Sequence, residues 1–475
     1  MKEGENKESN LQDDFAGYST KAKILLFGLF FFLGILNHLG TVLVMTGGRL
    51  LAQELHMDKY VTIYTSVAIV FSIITRMVNS KLCLKVSYKK RIIIICFWMI
   101  FGYLSMFLVL HFHESFLQEY NVLCFLLSFI PCFFLGSSYA FGENAIIAYL
   151  RLFPKTLIAG WSSGTGLSGI ISGGLNLSTQ LLKKFSLKFL YLSLIPVGPI
   201  YLFLFLASYK LLRKDNFTLT VGVIAGEEEK IGEEENKKDE KEEKIIDDKS
   251  PENENNEEKK DEETEKEIEE EIKEEKTLED MNKENKTMNW INFKKVMKMC
   301  GRVIVNLGFI YFFQFVCNNA IVIQICSRLD IPFLPMDPNK KQKHQKKGKY
   351  EFVNMFFQLG MFISKTFIKL VRKIQPIEVY TVVITSITFL YFINYYAGFL
   401  PWWALPIINT ILGFFSGGTY AGGFYVILHS GQVLLDYKEL TVNVATLFND
   451  TGTFLSGIVG YLLLNYVINS SEPFK

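Results

Sequence analysis

The chain has 475 residues, with 42 Phe and 22 Tyr, 21% charged residues and a formal net charge of +2. That average conceals two populations: residues 227–286 hold 29 acidic and 13 basic residues, a net of −16, and the other 415 hold 19 acidic and 37 basic, a net of +18. An apolar, aromatic and basic remainder of this size excludes an ordinary soluble globule and reads as a polytopic membrane protein.

Taken in chain order, "MKEGENKESNLQDD" is polar, and the first apolar run is of full span length, so no signal peptide is expected. A span needs roughly 20 apolar residues. The candidates are 24–45, 60–79, 92–110, 121–149, 158–177 and 189–207, then 303–326, 350–371, 379–399, 402–429 and 444–468. The domain reading is a cytosolic tail (1–23), a six-helix bundle (24–207), an acidic linker (208–302), a five-helix bundle (303–468) and a short tail (469–475). The fold class is therefore all-α polytopic.

Basic loop residues orient such a bundle. Lys21 and Lys23 precede span 1; Lys81, Lys85, Lys89, Lys90 and Arg91 follow span 2; Lys369, Arg372 and Lys373 follow span 8. All lie on one side if the N-terminus is cytosolic, which sends the C-terminus to the other side. "KKQKHQKKGK", Lys340 to Lys349, dissents, since it would be non-cytosolic. It reads as a solvated charge run, and no nucleic-acid partner is expected.

The Glu/Lys/Asn-rich insert has too few apolar residues to bury a core and reads as a disordered cytosolic linker. "KEEKII" at 241–246 loosely resembles an acidic dileucine sorting signal, which leaves trafficking adaptors as possible partners. There is no Gly-Lys-Ser/Thr phosphate loop, no zinc-type Cys/His spacing and no pair of intramembrane aspartates of protease type. Seven Cys, mostly in or beside apolar segments, imply no disulfide framework. Neither an enzyme nor a bound cofactor or metal is expected.

Two matches reveal an internal repeat. "GTGLSGI" (Gly164 to Ile170) returns as "GTFLSGI" (Gly452 to Ile458), and "GSSYAFG" (Gly136 to Gly142) returns as "GGTYAGG" (Gly417 to Gly423). Span 4 thus pairs with span 10 and span 5 with span 11. On a helix, Gly160, Gly164, Ser168 and Ser172 form one slowly rotating stripe, and Gly452, Ser456 and Gly460 repeat it. Small residues let membrane helices approach closely, so the stripes read as packing surfaces. Thr165 and Thr453 are candidates to line a pathway.

Six spans, a polar linker and a similar second set resemble the major facilitator superfamily, whose halves are parallel repeats around a mid-membrane site. The missing twelfth span departs from that pattern. A narrower resemblance rests on "GENAIIAYLRLFP" (142–154), "WSSGTGLSG" (161–169), "YEFVNMFFQLGMFISKTF" (350–367), "GGTYAGGFYVILH" (417–429), "FNDTGTFLSGIVG" (448–460) and "NH" (37–38). These resemble the battenin family of lysosomal and vacuolar membrane proteins. The resemblance covers most spans of both halves, but neither the insert nor the basic loop. It implies eleven spans, a lysosomal or vacuolar membrane, and a role in pH balance, basic amino acids or glycerophosphodiester efflux.

Ionisable groups inside the membrane are functional suspects. Glu143, beside Asn144 in span 4, is read as a proton carrier or substrate ligand, with a structural polar pair as the alternative. Asp450 in span 11 is read as functional, or as a cap or partner of Lys438. His38 in span 1 could titrate between lysosomal and cytosolic pH, or sit satisfied in the core. Arg76 and Lys365 lie near the expected cytosolic ends; each could snorkel or hold an anionic ligand. Asn318 and Asn319 in span 7 are ligand contacts or interhelical hydrogen bonders. The resemblance implies a carboxylate where this chain has Gln314. The reading is an alternating-access transporter of a small polar solute, coupled to protons. An organophosphate is favoured, a basic amino acid comes second, and the rival is a non-transporting scaffold acting through its acidic loop.

Overall fold

The computed structural model describes residues 20–468 apart from 58–59, 85, 116–118, 151–152, 154–156, 182–185, 216–285, 330, 332–333, 335–347, 372–373, 375–376 and 430–432. The terminal tails up to residue 19 and from 469, most of the acidic insert and most of the basic loop lie outside those residues.

Every expected span is helical. The helices are α1 (Thr20–Glu54), α2 (Val61–Val78), α3 (Tyr88–Ser115), α4 (Asn121–Leu127 and Phe129–Tyr149), α5 (Leu157–Leu181) and α6 (Leu187–Ser193 and Val197–Asp215). The second set is α7 (Trp290–Val316, continuing through a wide turn into Ile323–Arg328), α8 (Lys349–Thr366), α9 (Glu378–Ala397), α10 (Ala404–His429) and α11 (Lys438–Leu462). No described residue lies in a strand. The helices outreach the expected spans around the insert: α6 runs on to Asp215 and α7 begins at Trp290.

Among the described residues, eight helices are long and apolar enough to cross a membrane by length and composition; α5, α8 and α11 are not among them. The reason is where these three sit. Their Gly, Ser, Asn and charged residues point into the bundle, where neighbouring helices rather than lipid tails satisfy them.

The repeat seen in the sequence reappears as a pairing pattern. In the first half α1 packs on α5 and α2 on α4; in the second, α7 packs on α11 and α8 on α10. The halves meet along two seams, α2 on α11 and α5 on α8. Exchanging α1, α2, α4 and α5 with α7, α8, α10 and α11 maps this pattern onto itself. Directions agree as well. On α5, Gly160 faces the Phe27 carbonyl, Gly164 the Phe31 carbonyl, and the Ser172 hydroxyl donates to Leu39 O (3.3 Å), so α1 and α5 run parallel. On α11, Gly452 faces the Gly308 carbonyl and Gly460 faces Ala320, so α7 and α11 are parallel too.

The repeated glycine motif does two jobs. Its first glycine packs within a half: a Cβ on Gly164 would overlap the Phe31 carbonyl, and one on Gly452 would overlap that of Gly308. Its last glycine faces the other half. Gly169 lies against the Gln358 side chain of α8, and Gly457 against Ser66 of α2. Between them, Ser168 and Ser456 turn their hydroxyls back onto Thr165 O (2.7 Å) and Thr453 O (2.5 Å). Each serine thereby satisfies itself on its own helix and stays small at the interface.

A cavity between the halves

The seam between α2 and α11 carries most of the buried charge. Arg76 of α2 is 1% exposed and forks between two carboxylates. Its Nη2 donates to Glu143 Oε2 on α4 (2.6 Å) and its Nε to Asp450 Oδ2 on α11 (2.6 Å). Its Nη1 donates to Asn144 Oδ1 (2.9 Å) and, more weakly, to the Ala140 carbonyl (3.4 Å). Both acids have further donors: Ser72 donates to Asp450, and Tyr420 of α10 donates to Glu143. His38 Nε2 stands 3.5 Å from Glu143 Oε1. A guanidinium suits this place because its planar fork can serve two carboxylates and an amide at once.

Nearer the α2–α3 connection the same seam is closed by more polar contacts. Asn443 Oδ1 of α11 accepts from Asn79 (2.8 Å) and Asn144 (2.6 Å), and Arg91 Nη1 donates to Glu439 Oε1 (2.6 Å). The segment leading into α7 straps this region. Met288 N donates to Ser80 O (2.9 Å) in the first half, and Lys286 N donates to Asp436 O (3.1 Å) in the second.

Beyond the charge cluster a cavity opens between the halves. The first half contributes His38, Thr41 and Thr46 of α1, Tyr139 of α4 and Thr165 of α5. The second contributes Tyr311, Gln314, Asn318 and Asn319 of α7, Asn354, Gln358 and Lys365 of α8, Tyr420 of α10, and Asp450 and Thr453 of α11. The α8 residues recur at a helical period along one face, as do those of α7. Apolar walls from Val42, Met45, Phe315, Phe357 and Met361 fill the gaps between polar groups.

Lys365 differs from Arg76. It is 3% exposed, its Nζ donates to Thr165 Oγ1 (3.0 Å), and it lies 4.2 Å from the centre of the Tyr420 ring. No carboxylate lies within ion-pair distance of it among the described residues. Its chemistry is that of a buried cation with donors to spare, facing a void. Among the described residues no three His, Cys, Asp or Glu side chains gather as a metal-binding group.

Of the residues singled out in the sequence, His38, Thr165, Asn318, Asn319, Lys365 and Asp450 line the cavity, while Arg76, Glu143 and Asn144 form the ion network behind it. Two alternatives fall away, and a third coexists with the cavity reading. Arg76 and Lys365 do not snorkel, because both are enclosed by packed helices. Asp450 pairs with Arg76 rather than Lys438. Asn318 and Asn319 do hydrogen-bond across helices, Asn318 to Asn354 (2.7 Å) and Asn319 by accepting from Tyr350 (3.2 Å), yet both still face the cavity. Gly160, Gly164 and Gly452 pack against helix backbone, as their stripe implies. Sequence reasoning missed Tyr420, Asn354, Gln358 and the Arg91–Glu439 pair. The Asn354, Gln358, Lys365 spacing on α8 was the available signal. Arg91 reads as a loop charge because it sits near the start of its helix, and the sequence does not single out Glu439.

Residues 28–470 match the family described as CLN3 protein. The chain is 25% identical to Battenin of Dictyostelium discoideum over 459 residues, covering 93% of this chain and 94% of that protein. It is 23% identical to Protein BTN1 of Saccharomyces cerevisiae over 359 residues, 71% of this chain and 74% of that one. Protein BTN1 of Candida glabrata is 23% identical over 350 residues, with the same coverage. With the match running from α1 through the last turn of α11, and the helices forming a multi-pass bundle, this chain is a member of the CLN3 family of membrane proteins.

Proposed function

We propose that the chain is a secondary transporter of the lysosomal or vacuolar membrane that moves a small organic anion by alternating access, with major-facilitator-like halves rocking about the cavity. It acts as a carrier, with no covalent chemistry and no bound cofactor. The favoured cargo is an organophosphate of the glycerophosphodiester kind. The observation that carries this reading is Lys365, a buried cation facing the cavity with no acidic partner among the described residues. A basic amino acid would need an available carboxylate, but Glu143 and Asp450 are both engaged by Arg76.

Charge arithmetic supplies a coupling mechanism. With Arg76 and Lys365 cationic and Glu143 and Asp450 anionic, the four buried side chains sum to zero. A phosphodiester brings one negative charge into a low-dielectric space, where an uncompensated charge is costly. One proton taken up by the His38–Glu143 pair restores neutrality. Tyr420 joins the two events, since its hydroxyl donates to Glu143 and its ring lies under Lys365. Acid therefore favours loading, and the effect fades as pH rises.

The test is metabolite profiling of purified acidic organelles with and without the protein, alongside uptake into vesicles containing the purified chain. Phosphodiesters should accumulate when the protein is absent, and Lys365→Gln should behave like the deletion. His38→Gln should flatten the dependence of uptake on pH between 5 and 7, the range in which an imidazole changes charge. Altered arginine or lysine with unchanged phosphodiesters would overturn the cargo. No change in any small solute would remove the transporter reading and favour a scaffold.

A further inference from the structure

The cavity has a second polar end. Gln314 is 1% exposed and lines the cavity, and its Oε1 has no hydrogen-bond partner among the described residues. One turn further along α7, Asn318 uses its Nδ2 on Asn354 but leaves its Oδ1 equally unpartnered. Buried amide oxygens in native proteins are nearly always hydrogen-bonded, and leaving one without a donor is costly. Two such acceptors on adjacent turns, both bordering one void, call for a donor that arrives with the ligand.

The separation from Lys365 is set by helix geometry. On α8, Gln358 and Asn354 lie seven and eleven residues before Lys365, or about 10 Å and about 16 Å of helical rise. Asn318 is level with Asn354, to which it is bonded. Gln314 lies a turn closer to Lys365, because α7 and α8 run in opposite directions. Helical side chains lean toward the helix N-terminus, so the Lys365 amine reaches toward the amides and shortens the rise of about 10 Å to the level of Gln358. A phosphodiester with a three-carbon polyol on one side has a length of that order.

We propose that Gln314 and Asn318 are specificity determinants that receive the hydroxyl groups of a polyol whose phosphodiester charge sits at Lys365. The assignment rests on the organic-anion reading above. It selects hydroxyls over an ammonium at this end because both amide oxygens are uncharged, Glu143 and Asp450 are held by Arg76, and the buried Glu351 one turn before Asn354 does not line the cavity. An ammonium there would bring a buried charge with no counter-ion.

Binding to the full-length purified protein tests this with three probes: glycerophosphoglycerol, glycerophosphoethanolamine and dimethyl phosphate, which carries the anion without hydroxyls. The wild type should bind glycerophosphoglycerol about tenfold tighter than dimethyl phosphate, one to two hydrogen bonds' worth. Gln314→Leu and Asn318→Leu should each erase most of that preference while binding dimethyl phosphate as before, which also reports that they are folded. Gln314→Glu, which keeps the side-chain shape and adds a charge, should shift preference toward glycerophosphoethanolamine. An undiminished tenfold preference in both leucine variants would overturn the assignment, as would a Gln314→Glu variant with unchanged ranking. If Lys365→Gln weakens all three probes equally while these variants do nothing, the anion site stands and the polyol site falls. If no probe binds the wild type, both fall together.

Discussion

The two seams between the halves are related by the internal repeat, yet they are built differently. At the α2–α11 seam, Arg76 meets Asp450 directly, Ser72 adds a hydrogen bond, and Asn79 reaches Asn443. At the α5–α8 seam, glycines replace charges: Gly166 lies against the Phe362 backbone, Gly169 against Gln358 and Gly173 against Met355. The ionic group that faces the cavity there, Lys365, contacts a threonine hydroxyl and an aromatic ring. The backbone plan is shared and the charge plan is not. One seam pairs its ions directly, with one guanidinium between two carboxylates, so parting it would separate buried charges. The other has close backbone contact and one cation with no carboxylate in ion-pair contact among the described residues. A repeated backbone thus yields one seam joined by ion pairs and one packed through glycines.

The sharpest way to break this comparison is to remove the ion that organises the first seam. Arg76→Met strands two buried carboxylates and should destabilise the protein by about 3–5 kcal/mol, as for other broken buried pairs. Thermal unfolding in detergent measures it. Combining Arg76→Met with Glu143→Gln and Asp450→Asn should restore most of the loss. A triple variant as unstable as the single one would mean that packing, not charge, holds this seam.

The glycine contacts come next in size. Gly164→Leu and Gly452→Leu force a side chain into backbone and should each cost about 1–3 kcal/mol. The control is Gly174→Leu on the same helix as Gly164, where nothing lies within 4 Å of an added Cβ; it should leave the melting temperature unchanged. Equal losses at all three positions would show that the stripe is not a packing surface.

The smallest expected effect has the opposite sign. Lys365→Met removes a buried cation that has no acidic partner, so the ligand-free protein should be as stable as the wild type or slightly more so. The same variant should lose the rise in melting temperature that glycerophosphoglycerol gives the wild type, since stabilisation by a ligand follows its affinity. A large loss of ligand-free stability would show that Lys365 is structural and that the seams differ less than their contacts suggest.

Much of this architecture was legible in the chain. Apolar runs located the eleven long helices among the described residues, eight of them by full length and hydropathy, and α5, α8 and α11 by apolar runs that small and polar residues interrupt. The two repeated motifs identified matching helices in each half, since the same close approach calls for the same small residues. The polar positions on α1, α4, α5, α7, α8 and α11 were visible as exceptions to apolar composition.

What the sequence could not decide was which exceptions meet. Arg76 and Asp450 are 374 positions apart, and Arg76 and Glu143 are 67 apart. A charge near the end of an apolar run looks the same whether it snorkels to the interface, pairs across a seam or faces a void. By itself the sequence determined the number of helices, their twofold repetition and which faces are small or polar, because these follow from local composition and period. Only the tertiary structure decided that Arg76 is shared by two acids while Lys365 has none, and that the amides of α7 and α8 face the same cavity. Those facts depend on how far each helix slides and rotates against its neighbours, which the packing of the whole bundle sets.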